Sequence, residues 1–175
     1  MSLQERINQT IRNVPDFPKP GIQFKDISPI LEDAKLSEEI VEEFANQWRG
    51  KIDAIAGVES RGFLFGFPVA MKLDIPFILI RKKGKLPYKT ISYKYDLEYG
   101  SAEIEMHVDT VKEGMKILIH DDLLATGGTA AAASELIKKE KGEVAGFSFL
   151  VELGFLEGKE KLSKYSDVVN SIITY

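Results

Sequence analysis

The chain contains no cysteine, which excludes disulfide staples, thiolate nucleophiles and cysteine metal sites. It has only two histidines, His107 and His120, well apart in sequence, and these do not make a zinc-ligand set. No apolar run is long enough to span a bilayer, and no secretory core follows Met1, where LQERINQTIRN reads as an amphipathic helix. Positive charge is not in excess: 23 Lys and Arg face 27 Asp and Glu, a formal net charge of −4. That balance argues against non-specific nucleic-acid binding. Two common phosphate motifs are missing. There is no G-x-x-x-x-G-K-[ST], and no G-x-G-x-x-G opens a helix after a strand. Neither internal repeats nor low-complexity tracts occur. What remains is a chain of 175 residues, 44% hydrophobic and 29% charged, which suits a single soluble globular domain with the cytoplasm as its natural compartment.

The most informative stretch is KILIHDDLLATGGTAAAASELIKKEK, residues 116–141. Ile117, Leu118 and Ile119 form a short apolar run, as in a parallel strand covered on both faces. Ala130 to Lys141 is rich in helix formers, with Leu136 and Ile137 as apolar anchors, lysines near the C-terminal end and Gly142 placed to stop the helix. Between them lie Asp121 and Asp122, then Ala125, Thr126, Gly127, Gly128 and Thr129. A Gly-Gly turn lets backbone N–H groups approach an anion, and the helix N-terminus adds partial positive charge. Carboxylates repel phosphate but accept hydrogen bonds from hydroxyls. A ligand with sugar hydroxyls on one side and phosphate on the other, a ribose 5-phosphate, satisfies both halves. The plainer alternative is a strand-to-helix turn whose acids are merely solvated.

The rest of the chain repeats this strand–turn–helix order. The spacing predicts helices over 3–13, 36–48 (with Ser37 and two acids at its start), 63–73 and 130–141. It predicts strands over 53–58, 76–80, 117–120 and 144–151, an alternating strand over 102–108 and a terminal strand over 166–174. Residues 152–158 read as a turn region. The implied architecture is α/β, with right-handed strand–helix–strand units in a mainly parallel twisted sheet flanked by helices. Arg61 stands at the second glycine-bearing turn. It is either a clamp for phosphate oxygens, which its planar fork suits, or a surface arginine paired with Glu59. Arg81, Lys82, Lys83 and Lys85 leave the end of the next strand. Such a run is usually a solvated face, but at a strand's carboxyl end it faces the ligand edge of an α/β sheet. Residues 86–100, LPYKTISYKYDLEYG, read as a long irregular loop, either a lid or a plain hairpin excursion. Phe24 follows the rigid segment PDFPKPG and reads, on residue pattern alone, as a core anchor pinning a loop.

ILIHDDLLATGGTAAAA resembles the signature of type I phosphoribosyltransferases, with His120 where an apolar residue is expected. PDFPKPGIQFKDISPIL, GVESRGFLFG and RKKGKLP with LEYG resemble the adenine branch of that family, and the resemblance spans nearly the whole chain. It implies that Asp121 and Asp122 hold the ribose hydroxyls of phosphoribosyl pyrophosphate (PRPP), and that Ala125 to Thr129 wrap its 5-phosphate. It implies that Phe24 stacks on adenine while Gln23 and Lys25 supply main-chain contacts; Lys25 stands where such members often have Arg. Ser60, Arg61, Arg81, Lys82 and Lys85 become pyrophosphate and PRPP contacts, with a cis non-proline peptide at Glu59–Ser60. Glu98, with Tyr99 beside it, becomes a lid group that approaches the base nitrogen and accepts its proton. The family's type I fold implies a hood over residues 1–35, a lid over 82–106, Mg2+ carried by PRPP and pyrophosphate oxygens, and a homodimer. The implied reaction is adenine plus PRPP giving AMP plus pyrophosphate, with no nucleic-acid or membrane partner. Two alternatives stay open: a 6-oxopurine phosphoribosyltransferase, and a regulator that senses PRPP without catalysis.

Overall fold

The computed structural model describes residues 1–97 and 99–175. In chain order the helices are α1 (Leu3–Thr10), α2 (Ser28–Leu31), α3 (Ala34–Trp48), α4 (Gly62–Leu73), α5 (Gly128–Lys139) and α6 (Gly158–Leu162), with a 3-10 turn at Gly154–Leu156. The strands are β1 (Arg12–Pro15), β2 (Gln23–Asp26), β3 (Ala54–Val58), β4 (Phe77–Lys82), β5 (Thr90–Asp96), β6 (Ser101–His107), β7 (Lys116–Leu124), β8 (Glu143–Glu152) and β9 (Val169–Thr174). A seven-stranded sheet runs in the order β5-β6-β4-β3-β7-β8-β9. The run from β4 to β9 is parallel, and β6 and β5 add an antiparallel edge. β1 and β2 form a separate antiparallel pair near the N-terminus.

Local chemistry explains most boundaries. Ser2 and Glu5 form a reciprocal capping box at the start of α1, with the Glu5 N–H donating to Ser2 Oγ at 3.1 Å. The expected helix over 3–13 is shorter, because Arg12–Pro15 is drawn into the pair with β2. Asp33, not Ser37, caps α3 by accepting the Leu36 N–H at 3.0 Å; the Ser37 hydroxyl donates instead to the Ile30 carbonyl. At the far end of α5, Lys141 takes the left-handed φ of 61° that was expected of Gly142. The short helix α6 had no counterpart in the expected turn region.

Alternation along the central strands sorts residues to two cores. On β7, Ile117 and Ile119 pack toward α5, and Leu118 packs with α3 and α4 on the opposite face. Phe147, Phe149, Ile117 and Leu118 are all at most 1% exposed. Each such side chain contributes ~1.5–3 kcal/mol on burial. β7 runs to Leu124, past the expected end at 120, so the acid pair lies within the strand and not after it. Within the segment over 86–100, residues 90–96 form a strand and not an irregular loop. Thr90–Asp96 pairs in register with Ser101–His107, and Ile91, Tyr93 and Tyr95 fold back onto the α5 core.

Candidate active site

The strand–loop–helix unit at the sheet's centre builds one end of the site. Gly127 caps α5 with a left-handed φ of 82°, and no side chain bonds the helix start. Among the described residues, no side chain bonds the first N–H groups of α5, which suit an anion. Residues 123–130, with Asp121 and Phe149, enclose a small pocket of about 90 Å3 there. Tyr95 from the hairpin touches this loop, its hydroxyl 3.3 Å from Thr129 Oγ1. Behind the loop stands Gly158, a residue the sequence did not single out. A Cβ on Gly158 would lie 2.4 Å from the Ala125 carbonyl oxygen, and one on Gly127 would lie 2.8 Å from the Gly158 carbonyl oxygen. The start of α6 is thus pressed directly against the anion loop. No sequence signal marks this, since nothing near residue 158 looks like a partner for residue 127.

A larger cleft of about 470 Å3 adjoins the pocket, lined among others by Glu59, Arg81, Lys82, Lys83, Tyr95, Asp121 and Thr129. Asp121 borders both cavities. Burial, reinforced by the neighbouring Asp122 carboxylate, pushes its carboxyl well above the usual range. The two acids diverge, as adjacent residues of one strand must. Asp122 is 3% exposed, and its Oδ2 lies 3.1 Å from Arg61 Nε on the α4 side. Arg61 therefore does not pair with Glu59. Its guanidinium also sits 5.3 Å from the Phe24 ring centre, linking the acid to the N-terminal pair β1–β2. The Glu59–Ser60 peptide is cis, as the resemblance implied, and the Ser60 carbonyl accepts the Phe63 N–H as α4 begins. The turn meets β7 closely: a Cβ on Gly62 would lie 2.8 Å from the His120 carbonyl oxygen.

Phe24 is half-buried and belongs to neither core; Phe17 meets it edge-on at 5.2 Å. Gln23 is exposed at the start of β2, and the Lys25 amine donates to Asn13 Oδ1 and lies 3.6 Å from the Tyr175 ring centre. On the basic side, Arg81 Nη2 donates to Glu59 Oε1 at 3.0 Å and Nη1 to the Lys85 carbonyl at 3.3 Å. Arg81 is thus already engaged, and its hydrogen bond holds the Glu59 carboxyl below its ordinary range. Lys82 and Lys83 line the cleft; Lys85 is exposed just beyond the lining residues. Tyr99 is 79% exposed, with Lys19 Nζ 5.4 Å from its ring centre, so the hairpin tip meets the N-terminal segment. Glu98, assigned from the sequence as the proton acceptor, lies outside the described residues. His120 is 1% exposed, its Nδ1 2.8 Å from Ser148 Oγ and its ring edge-on to Phe44. Burial pushes its pKa down to about 4.

The phosphoribosyl transferase domain model matches residues 25–174. The adenine phosphoribosyltransferase of Cytophaga hutchinsonii is 55% identical over 174 residues, covering 99% of this chain and 96% of its own. That of Ureaplasma parvum serovar 3 is 53% identical over 170 residues, covering 97% and 96%. The crystal structure of adenine phosphoribosyltransferase from Thermoanaerobacter pseudethanolicus matches with a TM-score of 0.94 at 48% identity, over 99% of this chain and 100% of that one. The Saccharomyces cerevisiae enzyme, complexed with an imino-altritol bisphosphate and adenine, matches with a TM-score of 0.91 at 35% identity, over 97% and 98%.

Proposed function

This chain belongs to the adenine phosphoribosyltransferases, within the phosphoribosyl transferase domain family, and from that premise we propose how its cleft is used. It is an enzyme that transfers the 5-phosphoribosyl group from PRPP to adenine, giving AMP and pyrophosphate in purine salvage. The observation that carries the proposal is the position of Asp121 between an anion pocket at a helix N-terminus and a cleft lined by cations. A ribose bridging the two cavities sets its 5-phosphate on the Ala125–Thr129 loop and its pyrophosphate toward Lys82 and Lys83.

As the anomeric carbon loses pyrophosphate it gains positive character. Asp121 accepts from the ribose hydroxyls and favours that charge, while Lys82, Lys85 and Arg61 supply stationary positive charge for the leaving group. Arg81 acts with them chiefly through the shape of its turn, since Glu59 and Lys85 already hold its guanidinium. Asp122 acts through Arg61. Phe24 offers a ring outside the cores on which adenine stacks, Gln23 and Lys25 present main-chain groups beside it, and Ser60 and Tyr99 flank the substrate. Residues 1–35 serve as the hood and 82–106 as the lid, which excludes water as it closes. Glu98 takes the proton from the attacking base. A Mg2+ ion would arrive on the PRPP and pyrophosphate oxygens, with Asp121, the carboxylate that borders both cavities, beside it. When bound, Mg2+ neutralises the pyrophosphate oxygens.

The homodimer forms through an apolar hollow of about 470 Å3 bounded by Phe63, Phe67, Phe77 and Leu79, with the exposed Met71 on the same helix, α4, as Phe63 and Phe67. No helix among the described residues is long and apolar enough to cross a membrane, and the cytoplasm is the proposed compartment. The test is pyrophosphate release from PRPP and Mg2+ with adenine, hypoxanthine, guanine and uracil offered separately. Turnover with adenine alone is expected. Turnover with a 6-oxopurine would overturn the assignment of Phe24 and its neighbours, and binding of PRPP without any turnover would overturn the reaction.

A further inference from the structure

Within the turn that carries Lys82, Lys83 and Lys85, the Lys85 N–H donates to the Lys82 carbonyl at 3.2 Å and Arg81 Nη1 to the Lys85 carbonyl at 3.3 Å. Gly84 takes a φ of 88°, and its neighbours are exposed. Its first residues are held from outside, the Lys82 N–H donating to Glu59 Oε2 at 2.8 Å and the Lys83 N–H to the Glu103 carbonyl at 2.9 Å, and the rest of the turn is held by Glu105. The backbone N–H groups of Gly84 and Leu86 both donate to Glu105 Oε1, at 3.1 and 2.9 Å. The Thr90 hydroxyl donates to Glu105 Oε2 at 3.2 Å, and Lys83 Nζ lies 4.0 Å from the same oxygen. Glu105 is 2% exposed and stands opposite Arg81 in the β4–β6 register.

This placement is electrostatically odd. A buried carboxylate beside a row of cations lowers the positive potential that an incoming pyrophosphate would meet. Burial would also raise the carboxyl's pKa, yet the N–H groups of Leu86 and Gly84, the Thr90 hydroxyl and Lys83 together hold it below the ordinary range. The acid is therefore ionised at neutral pH, and one of its oxygens ties the middle of the turn, at Gly84, to its far end, at Leu86.

We propose that Glu105 is a positioning residue for pyrophosphate: it fixes residues 82–86 so that Lys82 and Lys83 face the cleft. The proposal rests on the phosphoribosyl-transfer reading above. It touches no substrate and acts through the backbone it holds. Its sign separates it from a purely electrostatic role, because deleting a nearby negative charge would by itself tighten anion binding.

The experiment measures Mg2+–pyrophosphate affinity by calorimetry, with KM for PRPP and for adenine, in wild type, Glu105→Ala, Glu105→Gln and Lys82→Ala. Glu105→Ala should weaken pyrophosphate binding by about tenfold, as expected for loss of hydrogen bonds to a charged acceptor. KM for PRPP should rise in step, with KM for adenine nearly unchanged. Glu105→Gln keeps an acceptor oxygen and should fall between. Unchanged or tighter pyrophosphate binding in Glu105→Ala, or an equal rise in both KM values, would overturn the proposal. If Glu105→Ala does not fold, the same criteria apply to Glu105→Gln. Absence of pyrophosphate binding in wild type, or no loss in Lys82→Ala, would instead overturn the parent reading of the cleft.

Discussion

The two ends of the cleft offer different kinds of donor to an anion. At the α5 end the donors are backbone N–H groups, shaped by glycine and pressed from behind by α6. At the hairpin end the donors are side-chain cations on a turn, and buried or half-buried acids hold that turn in place: Glu59 on Arg81 and on the Lys82 N–H, Glu105 on Gly84 and Leu86. Backbone donors are rigid and weakly screened. Exposed lysine charges are mobile and salt-sensitive. On the proposed reading, the backbone end would grip the retained phosphate firmly, and the cationic end would leave the departing pyrophosphate free to release.

The largest effect should come from the residue between the ends. Asp121→Ala should lower kcat/KM for PRPP by on the order of a hundredfold or more, while raising thermal stability at neutral pH. The sign follows from its raised carboxyl pKa: the folded state favours the protonated form, so the ionised group costs stability as pH rises through that value. Unchanged kinetics would remove Asp121 from the ribose.

Next comes the support on the α3–α4 face of the strand that carries the acids. His120 lies under the acids as a neutral imidazole with a pKa near 4, against an ordinary value of 6.5. A group with a depressed folded pKa contributes stability that is complete above the unfolded value and lost as pH falls toward the folded one. The loss between those limits is ~3 kcal/mol at most. Melting temperature followed from pH 7 to pH 4 should fall, and His120→Val should flatten that fall while lowering stability at pH 7.

Gly158→Ala sharpens the comparison. It sets a methyl group against the Ala125 carbonyl, so it should raise KM for PRPP roughly tenfold, because small misplacements of a binding group are costly. KM for adenine should change much less. A uniform loss of activity with a parallel loss of melting temperature would mean that α6 only stabilises the fold. The smallest effect is expected from single lysines. Lys82→Ala or Lys85→Ala should raise KM for PRPP a few-fold at low salt, with the difference shrinking as salt is added.

The same contrast governs how much was legible in the sequence. The α5 end is local: strand, acids, glycines and helix follow within one stretch, so composition and order alone indicate an anion loop. Its boundaries were less legible, because the apolar run ends at Ile119 while the strand continues through the acids to Leu124. The hairpin end is assembled from afar. Glu59 precedes Arg81 by 22 positions and Glu105 follows Gly84 by 21, and no periodicity announces either pairing. Arg61 was open between phosphate and Glu59; tertiary packing gave Glu59 to Arg81 and turned Arg61 to Asp122 and Phe24. Residues 86–100 did carry a readable signal. Ile91, Tyr93 and Tyr95 alternate as one face of a strand, but Pro87 and Gly100 at the ends favoured a loop reading.

PRPP affinity measured across a range of ionic strength, in wild type, Lys82→Ala and Gly158→Ala, tests the two-ended grip most directly. Lys82→Ala should give a shallower salt dependence than wild type. Gly158→Ala should bind more weakly at every salt concentration with the wild-type slope. A changed slope in Gly158→Ala, or an unchanged one in Lys82→Ala, would contradict the division between a backbone end and a cationic end.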